Sequence, residues 1–320
     1  MNETSSKFVD VFAMEKLINE KLTKVSHSPI NSIFKSEDIS FEGLDEFKLE
    51  IENVKIVTSD DGATYYVIPS YCKSTHYKEN NMINLYYYPS KTPECNILLL
   101  HGLFDDNMSN YQFTVRQLND LNFNVYFMVL PYHFNRKPQI SKFSGEFFLS
   151  ADVYRSRNAF KQAIFDTETS MQFIKEQNKL PNMLAGFSMG GCIAFRYYLL
   201  KNQSIRTFLF NPVTDLTKII WDNPLLLTVG KDLAKSGFDT NIYTNLFKEL
   251  DPCENISSKI DEKKVAMVYS VYDQIIEENK YKKFINKTGI KNVLSYSAGH
   301  LNVLRVPRLS KDIKDFFKHD

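Results

Sequence analysis

Gly186-Phe187-Ser188-Met189-Gly190-Gly191 sets a serine between small residues at a spacing suited to acyl-transfer chemistry. The apolar run Met183-Leu184-Ala185 precedes it and a stretch of helical character, Cys192 to Leu200, follows, so Ser188 lies where a strand turns sharply into a helix. Such an elbow forces strained backbone angles on the serine, tolerates only very small neighbours and holds the hydroxyl at the apex of the turn. The first N–H groups of the following helix lack partners within it and, with the positive end of its dipole, face any anion that forms there. The competing reading, a glycine-rich turn with a passenger serine, needs an accidental match in a chain that has only 11 glycines.

A serine nucleophile also needs a base, an acid that orients the base, and donors for the oxyanion. His300 is the best placed of the six histidines: it follows the last strand, in Ser297-Ala298-Gly299-His300, and Gly299 is expected to let the loop swing the imidazole toward the sheet. The acid should end the strand before that of the histidine. Val265 to Tyr272 runs into Asp273, which makes Asp273 the first candidate, with an ordinary helix N-cap as its alternative role. Asp215, in Asn211-Pro212-Val213-Thr214-Asp215, is the second candidate. Serine, acid, histidine is the chain order that accompanies such an elbow on an α/β sheet. The oxyanion donors are expected to be the backbone N–H groups of Met189 and of Leu103, the latter in His101-Gly102-Leu103-Phe104. His101 reads as a structural hydrogen-bonding residue, and His133 reads equally well as pocket lining or as packing. No His, Cys, Asp or Glu grouping has metal-ligand spacing, so neither a metal nor a cofactor is expected.

The elements that must position these groups are readable from periodicity. Val11, Met14, Ile18 and Leu22 predict an amphipathic helix packed on the body of the protein, within an N-terminal helical extension of residues 1–46. Phe47, Leu49 and Ile51 alternate with charged residues, the pattern continues over 54–57, and Asp61-Gly62 turns it back into Thr64 to Ile68: an antiparallel hairpin. After a further strand at 83–88, the continuously apolar Asn96 to Leu100 marks a strand buried on both faces. Strands at 125–130, 183–186, 207–210, 265–271 and 292–296 then alternate with helices at 111–121, 151–175, 191–200, near Lys280 and at 310–318. That alternation predicts an α/β fold: a single domain with a mostly parallel, doubly wound sheet. Residues 211–264 are too many for a simple loop, so they are expected to carry helices, including one over 233–250, and to form a lid at the carboxyl ends of the strands. Aromatic residues Phe143, Phe147 and Phe148, with Leu225-Leu226-Leu227, suggest a pocket for an apolar acyl or aryl group, with simple lid packing as the alternative reading.

Composition narrows the partners. A chain of 320 residues that is 43% hydrophobic and 24% charged, with a formal charge of +1, gives no reason to expect nucleic acid or an anionic membrane. The four cysteines form no Cys-x-x-Cys pair, and reduced thiols are expected. The first apolar cluster, Val11 to Met14, is cut off by Glu15 and Lys16, and no run reaches the ~18 apolar residues of a membrane span, so a soluble, cytoplasmic protein is expected.

With these residues in hand, the chain resembles the α/β-hydrolase superfamily over residues 47 to 320. The resemblance implies an α/β-hydrolase fold, Ser188 as nucleophile, Asp273 as acid, His300 as base, Leu103 and Met189 as oxyanion donors, and a small-molecule ester as substrate. Leu130 to His133, Arg136, Pro138, Ser144-Gly145-Glu146 and the segment from Arg155 to Asp166 are similar to a branch related to the abhydrolase domain-containing protein 18 group. A serine peptidase of prolyl-oligopeptidase type also uses Ser-Met-Gly-Gly elbows, but it usually carries a propeller, and nothing upstream repeats like blades. A hydrolase-fold binding protein without turnover is the reading outside enzymes.

Overall fold

The structure, a computed structural model, describes residues 2–25, 38–46, 48–49, 53–58, 64–74 and 76–318. Among the described residues its centre is one nine-stranded sheet. Strands β1 (Lys55–Thr58), β2 (Thr64–Pro69) and β3 (Met82–Tyr88) run antiparallel to one another, and β3 joins β5 (Phe123–Met128) antiparallel, with Tyr87 opposite Tyr126. From β5 onward the order is β5, β4 (Cys95–Leu100), β6 (Asn182–Phe187), β7 (Thr207–Phe210), β8 (Val265–Ser270) and β9 (Asn292–Tyr296), all parallel. The sequence explains the change of hand. Strands β4, β5 and β7 are buried along nearly their whole length because helices cover both faces, whereas β1 is mostly exposed.

Helices α1 (Glu3–Glu20), α2 (Gln112–Asp120), α3 (Val153–Gln177) and α4 (Met189–Leu200) precede β7. The stretch 211–264 carries α5 (Ile219–Asp222), α6 (Leu227–Lys235) and α7 (Thr240–Phe247); α8 (Glu278–Thr288) and α9 (Pro307–Lys318) complete the chain. Two apolar layers fill the space between sheet and helices. One contains Leu98, Leu184, Phe160 and Ile193, and the other Ile97, Phe127, Phe208 and Ile313, all fully or almost fully buried. Each such side chain contributes about 1.5–3 kcal/mol by leaving water.

Several expectations change in detail. Leu49 lies in no strand; its N–H donates to the Gln172 side chain (3.0 Å), and Phe47, Ile51 and the Asp61-Gly62 turn lie outside the described residues. The helix expected over 233–250 is two helices, broken where Gly237 takes φ 83°. The largest departure is α1. The apolar stripe faces inward only in part: Leu22 is buried, Ile18 packs against the core and Met14 is half-buried, but Val11 is exposed and the buried residues within the helix are Ser6 and Asp10. The polar face that turns inward meets loop backbone: Asp10 accepts from His300 N and Leu301 N.

Strand order reverses beside β4, since β5 lies on one side of it and β6 on the other. The loops after β4 and β6 therefore diverge and leave a crevice at the carboxyl edge of the sheet, the place where open α/β sheets bind ligands.

Candidate active site

Ser188 stands between β6 and α4 with φ 53° and ψ −116°, a conformation that a non-glycine residue adopts only when its surroundings enforce it. Its own backbone supplies part of that enforcement: the N–H donates to Phe210 O (3.1 Å), and the carbonyl accepts from Val213 N (3.0 Å) and Cys192 N (3.2 Å). Packing supplies the rest. A Cβ on Gly186 would come within 2.3 Å of Gly190 O, and one on Gly190 within 2.5 Å of both Leu100 O and His101 O, so strand, turn and helix meet too closely for any side chain.

Ser188 Oγ is 3.0 Å from His300 Nε2, and His300 Nδ1 is 2.7 Å from Asp273 Oδ2. All three residues are buried. The pairing with a carboxylate assigns the proton to Nδ1, which leaves Nε2 to accept from the serine hydroxyl. Asp273 is itself fixed: Oδ1 accepts from Ile275 N and Ile276 N (2.7 Å each), and Oδ2 also accepts from Tyr281 Oη (2.7 Å). It therefore caps the turn ahead of α8 while facing His300, so the two roles weighed for it coexist. Burial alone would lower the His300 pKa, but the charge and hydrogen bond of Asp273, with further carboxylates at Asp10 and Asp105, outweigh it and raise the value above that of a free imidazole.

Asp215 is not part of this chain of bonds. It accepts from Thr217 Oγ1 (2.7 Å) and Lys218 N (3.1 Å) and pairs with the Lys218 ammonium (3.3 Å).

The loop after β4 is braced on either side of Leu103. Gly102 N donates to Asp105 Oδ2 (3.0 Å) and to Tyr111 Oη (2.8 Å), and Phe104 N donates to His133 Nε2 (3.2 Å). Among the described residues neither Leu103 N nor Met189 N has an acceptor, and both residues line the same cavity as Ser188. His101 is buried and structural, with Nδ1 donating to Gly102 O (2.7 Å) and Nε2 accepting from Leu130 N (3.0 Å). His133 does not line the cavity; burial pushes its pKa down to about 3, so it stays neutral as the acceptor that Phe104 N requires. Behind this loop, Arg136 pairs with Asp166 (2.8 Å, both fully buried) and Ser144 Oγ accepts from Phe134 N (3.0 Å). Arg136, Asp166 and Ser144 are therefore scaffold behind the loop.

The cavity measures about 170 Å³. Ser188, His300, Leu103 and Met189 line it together with Val213, Ile219, Leu225 and Leu226 from the stretch after β7, Ile275 and Ile276 beside Asp273, and Ala13, Met14 and Leu17 of α1. Two sequence expectations need correction. Phe143, Phe147 and Phe148 are buried in the core and do not line the cavity; Phe104 does, with Phe143 packed edge-on behind it. Leu225 and Leu226 face the cavity, whereas Leu227 is exposed. The apolar stripe of α1 predicted its packing but not that it would wall the cavity, and the contacts of Asp10 had no signal in local sequence pattern. Among the described residues no three His, Cys, Asp or Glu side chains gather as metal ligands, and no helix is long and apolar enough to cross a membrane.

Solved structures share this architecture. An acetyl xylan esterase from Paenibacillus sp. R4 superposes with a TM-score of 0.59 at 12% identity, covering 87% of this chain and 92% of the other. An S-formylglutathione hydrolase from Agrobacterium tumefaciens gives 0.53 at 14% identity, covering 82% and 97%. Est1E from Butyrivibrio proteoclasticus, solved with ferulic acid bound, gives 0.51 at 13% identity, covering 74% and 94%. No protein-family model matches the sequence, and no curated protein matches it. The chain has the α/β-hydrolase fold.

Proposed function

We propose that this chain is a serine hydrolase that cleaves a carboxylic ester with an apolar acyl or aryl group. The observation that carries the reading is the continuous hydrogen-bonded path from Ser188 Oγ through His300 to Asp273 at the wall of an apolar cavity. Esterases among the structures of like fold support it.

In this reading Ser188 Oγ attacks the ester carbonyl as its proton passes to His300 Nε2. The carbonyl oxygen becomes an oxyanion that accepts from Leu103 N and Met189 N, two N–H groups on residues that line the same cavity as Ser188. The acyl–oxygen bond then breaks, and the leaving alkoxide takes the proton from His300. Water, deprotonated by the same imidazole, attacks the acyl-Ser188 ester and releases the carboxylic acid with the serine restored. Asp273 keeps Nδ1 protonated and offsets the positive charge of the transient imidazolium.

The test combines a fluorophosphonate probe with aryl esters of graded acyl length. The wild-type protein should label and should cleave short esters; Ser188→Ala should do neither. Full-rate labelling of Ser188→Ala would show the nucleophile to be elsewhere. Cleavage confined to peptide amides would point to a peptidase, and silence of the wild-type protein toward both probe and substrates would point to a binding protein.

A further inference from the structure

Asp10 of α1 reaches across to the far end of the chain. It is fully buried, and its Oδ2 accepts from His300 N (2.6 Å) and Gln274 N (3.2 Å) while Oδ1 accepts from Leu301 N (3.1 Å). These donors lie on the two loops that deliver the base and the acid, since Gln274 follows Asp273. Three backbone N–H groups converging in a buried place require acceptors, and one carboxylate supplies them all with charge-assisted bonds. Gly299 is small for the same reason: a Cβ there would stand 2.7 Å from Asp10 Oδ2 and 2.7 Å from Ser6 O. It lets α1 approach, instead of giving the loop freedom to swing.

We propose that Asp10 is a positioning residue for the hydrolytic site: a carboxylate on a helix outside the sheet that fixes the His300 loop against the Asp273 loop. The proposal rests on the hydrolase reading for its consequence, though not for its geometry. Asp10 touches neither the substrate cavity nor the reacting atoms; the cavity wall on α1 is formed by Ala13, Met14 and Leu17. The other principal contacts of the helix are with its own continuation at 22–24, the turn at 224–226 and the segment 301–305, so it straps the rim of the site, while Leu17 and Ile18 pack against the core. The carboxylates that bear on the imidazole are Asp273, Asp10 and Asp105, and burial holds the Asp10 carboxyl above its ordinary pKa in spite of its donors.

The test uses Asp10→Asn, which keeps the size but turns an amide donor on N–H groups that need acceptors, and Asp10→Ala, which removes the acceptors outright. Both should remain folded by circular dichroism. Ester-cleavage kcat should fall on the order of 100-fold, the scale set by small misplacements of a reacting group. KM should change less than kcat, because the Asp10 side chain does not itself line the cavity. Fluorophosphonate labelling should slow in parallel, and the low-field proton resonance of the His300 Nδ1–H bond to Asp273 should broaden or move; Asp10→Glu should recover part of both. Folded variants with unchanged kcat, labelling and resonance would overturn the proposal. So would loss of the folded state in both variants, which would make Asp10 a residue of the fold. If the wild-type protein neither labels nor cleaves any ester, the hydrolase reading falls, and the resonance alone still decides whether Asp10 positions His300.

Discussion

Ser188 is held by the sheet itself, whereas the loops of His300 and Asp273 are held partly from outside it. The elbow is wedged between β4, β6 and α4 by backbone contacts that leave no room for a Cβ at Gly186 or Gly190. The other half is tied to Asp10 by bonds between residues 264 to 291 positions apart. The first arrangement is enforced by packing and resists displacement. The second depends on a few polar contacts at the rim and is correspondingly open to perturbation.

Predictions can break that contrast or sharpen it. The largest effect is expected at the base: His300→Ala should lower kcat on the order of 10⁶-fold, and Asp273→Asn, by leaving the imidazole in the wrong tautomer, on the order of 10⁴-fold, both measured on an aryl ester. On the elbow side the loss should be one of stability. Gly190→Ala drives a methyl into Leu100 O and His101 O and should cost about 3 kcal/mol or more in urea unfolding; a stable, active variant would show that the elbow yields. Tyr281→Phe removes the hydroxyl donor on Asp273 Oδ2 and should lower kcat about tenfold, the worth of one hydrogen bond to a charged group. The smallest effect is on pH. His300 works as a base only when neutral, and its pKa is raised, so the acidic limb of kcat/KM should lie above pH ~6.5. By the same sign, the stabilisation from the imidazolium is complete below the unfolded pKa and is lost as pH rises through the folded one. A limb below that pH would mean that Asp273 and Asp10 do not dominate the imidazole.

The contrast also explains what could be read from sequence. Strands β4 and β6, the elbow, and the order of Ser188, Asp273 and His300 were legible because each rests on local periodicity, a short motif or chain order. Leu103 and Met189, proposed as oxyanion donors, were placed only by their neighbours in the chain, and both line the cavity. What escaped was long-range: α1 shows an apolar stripe, yet buries Ser6 and Asp10, because hydrophobic spacing carries no information about three distant N–H groups that need an acceptor. Gly299 was read for flexibility when its reason is the approach of α1. For Phe143, Phe147 and Phe148 the sequence leaves pocket lining and packing both open, since composition cannot tell an aromatic facing a cavity from one facing the core, where these three lie.

The bond between Asp10 and the His300 loop also bears on biosynthesis. It joins residues 290 positions apart, so it closes only once the chain between them has been made, and a partly made chain can hold a finished elbow while the His300 loop still lacks this partner.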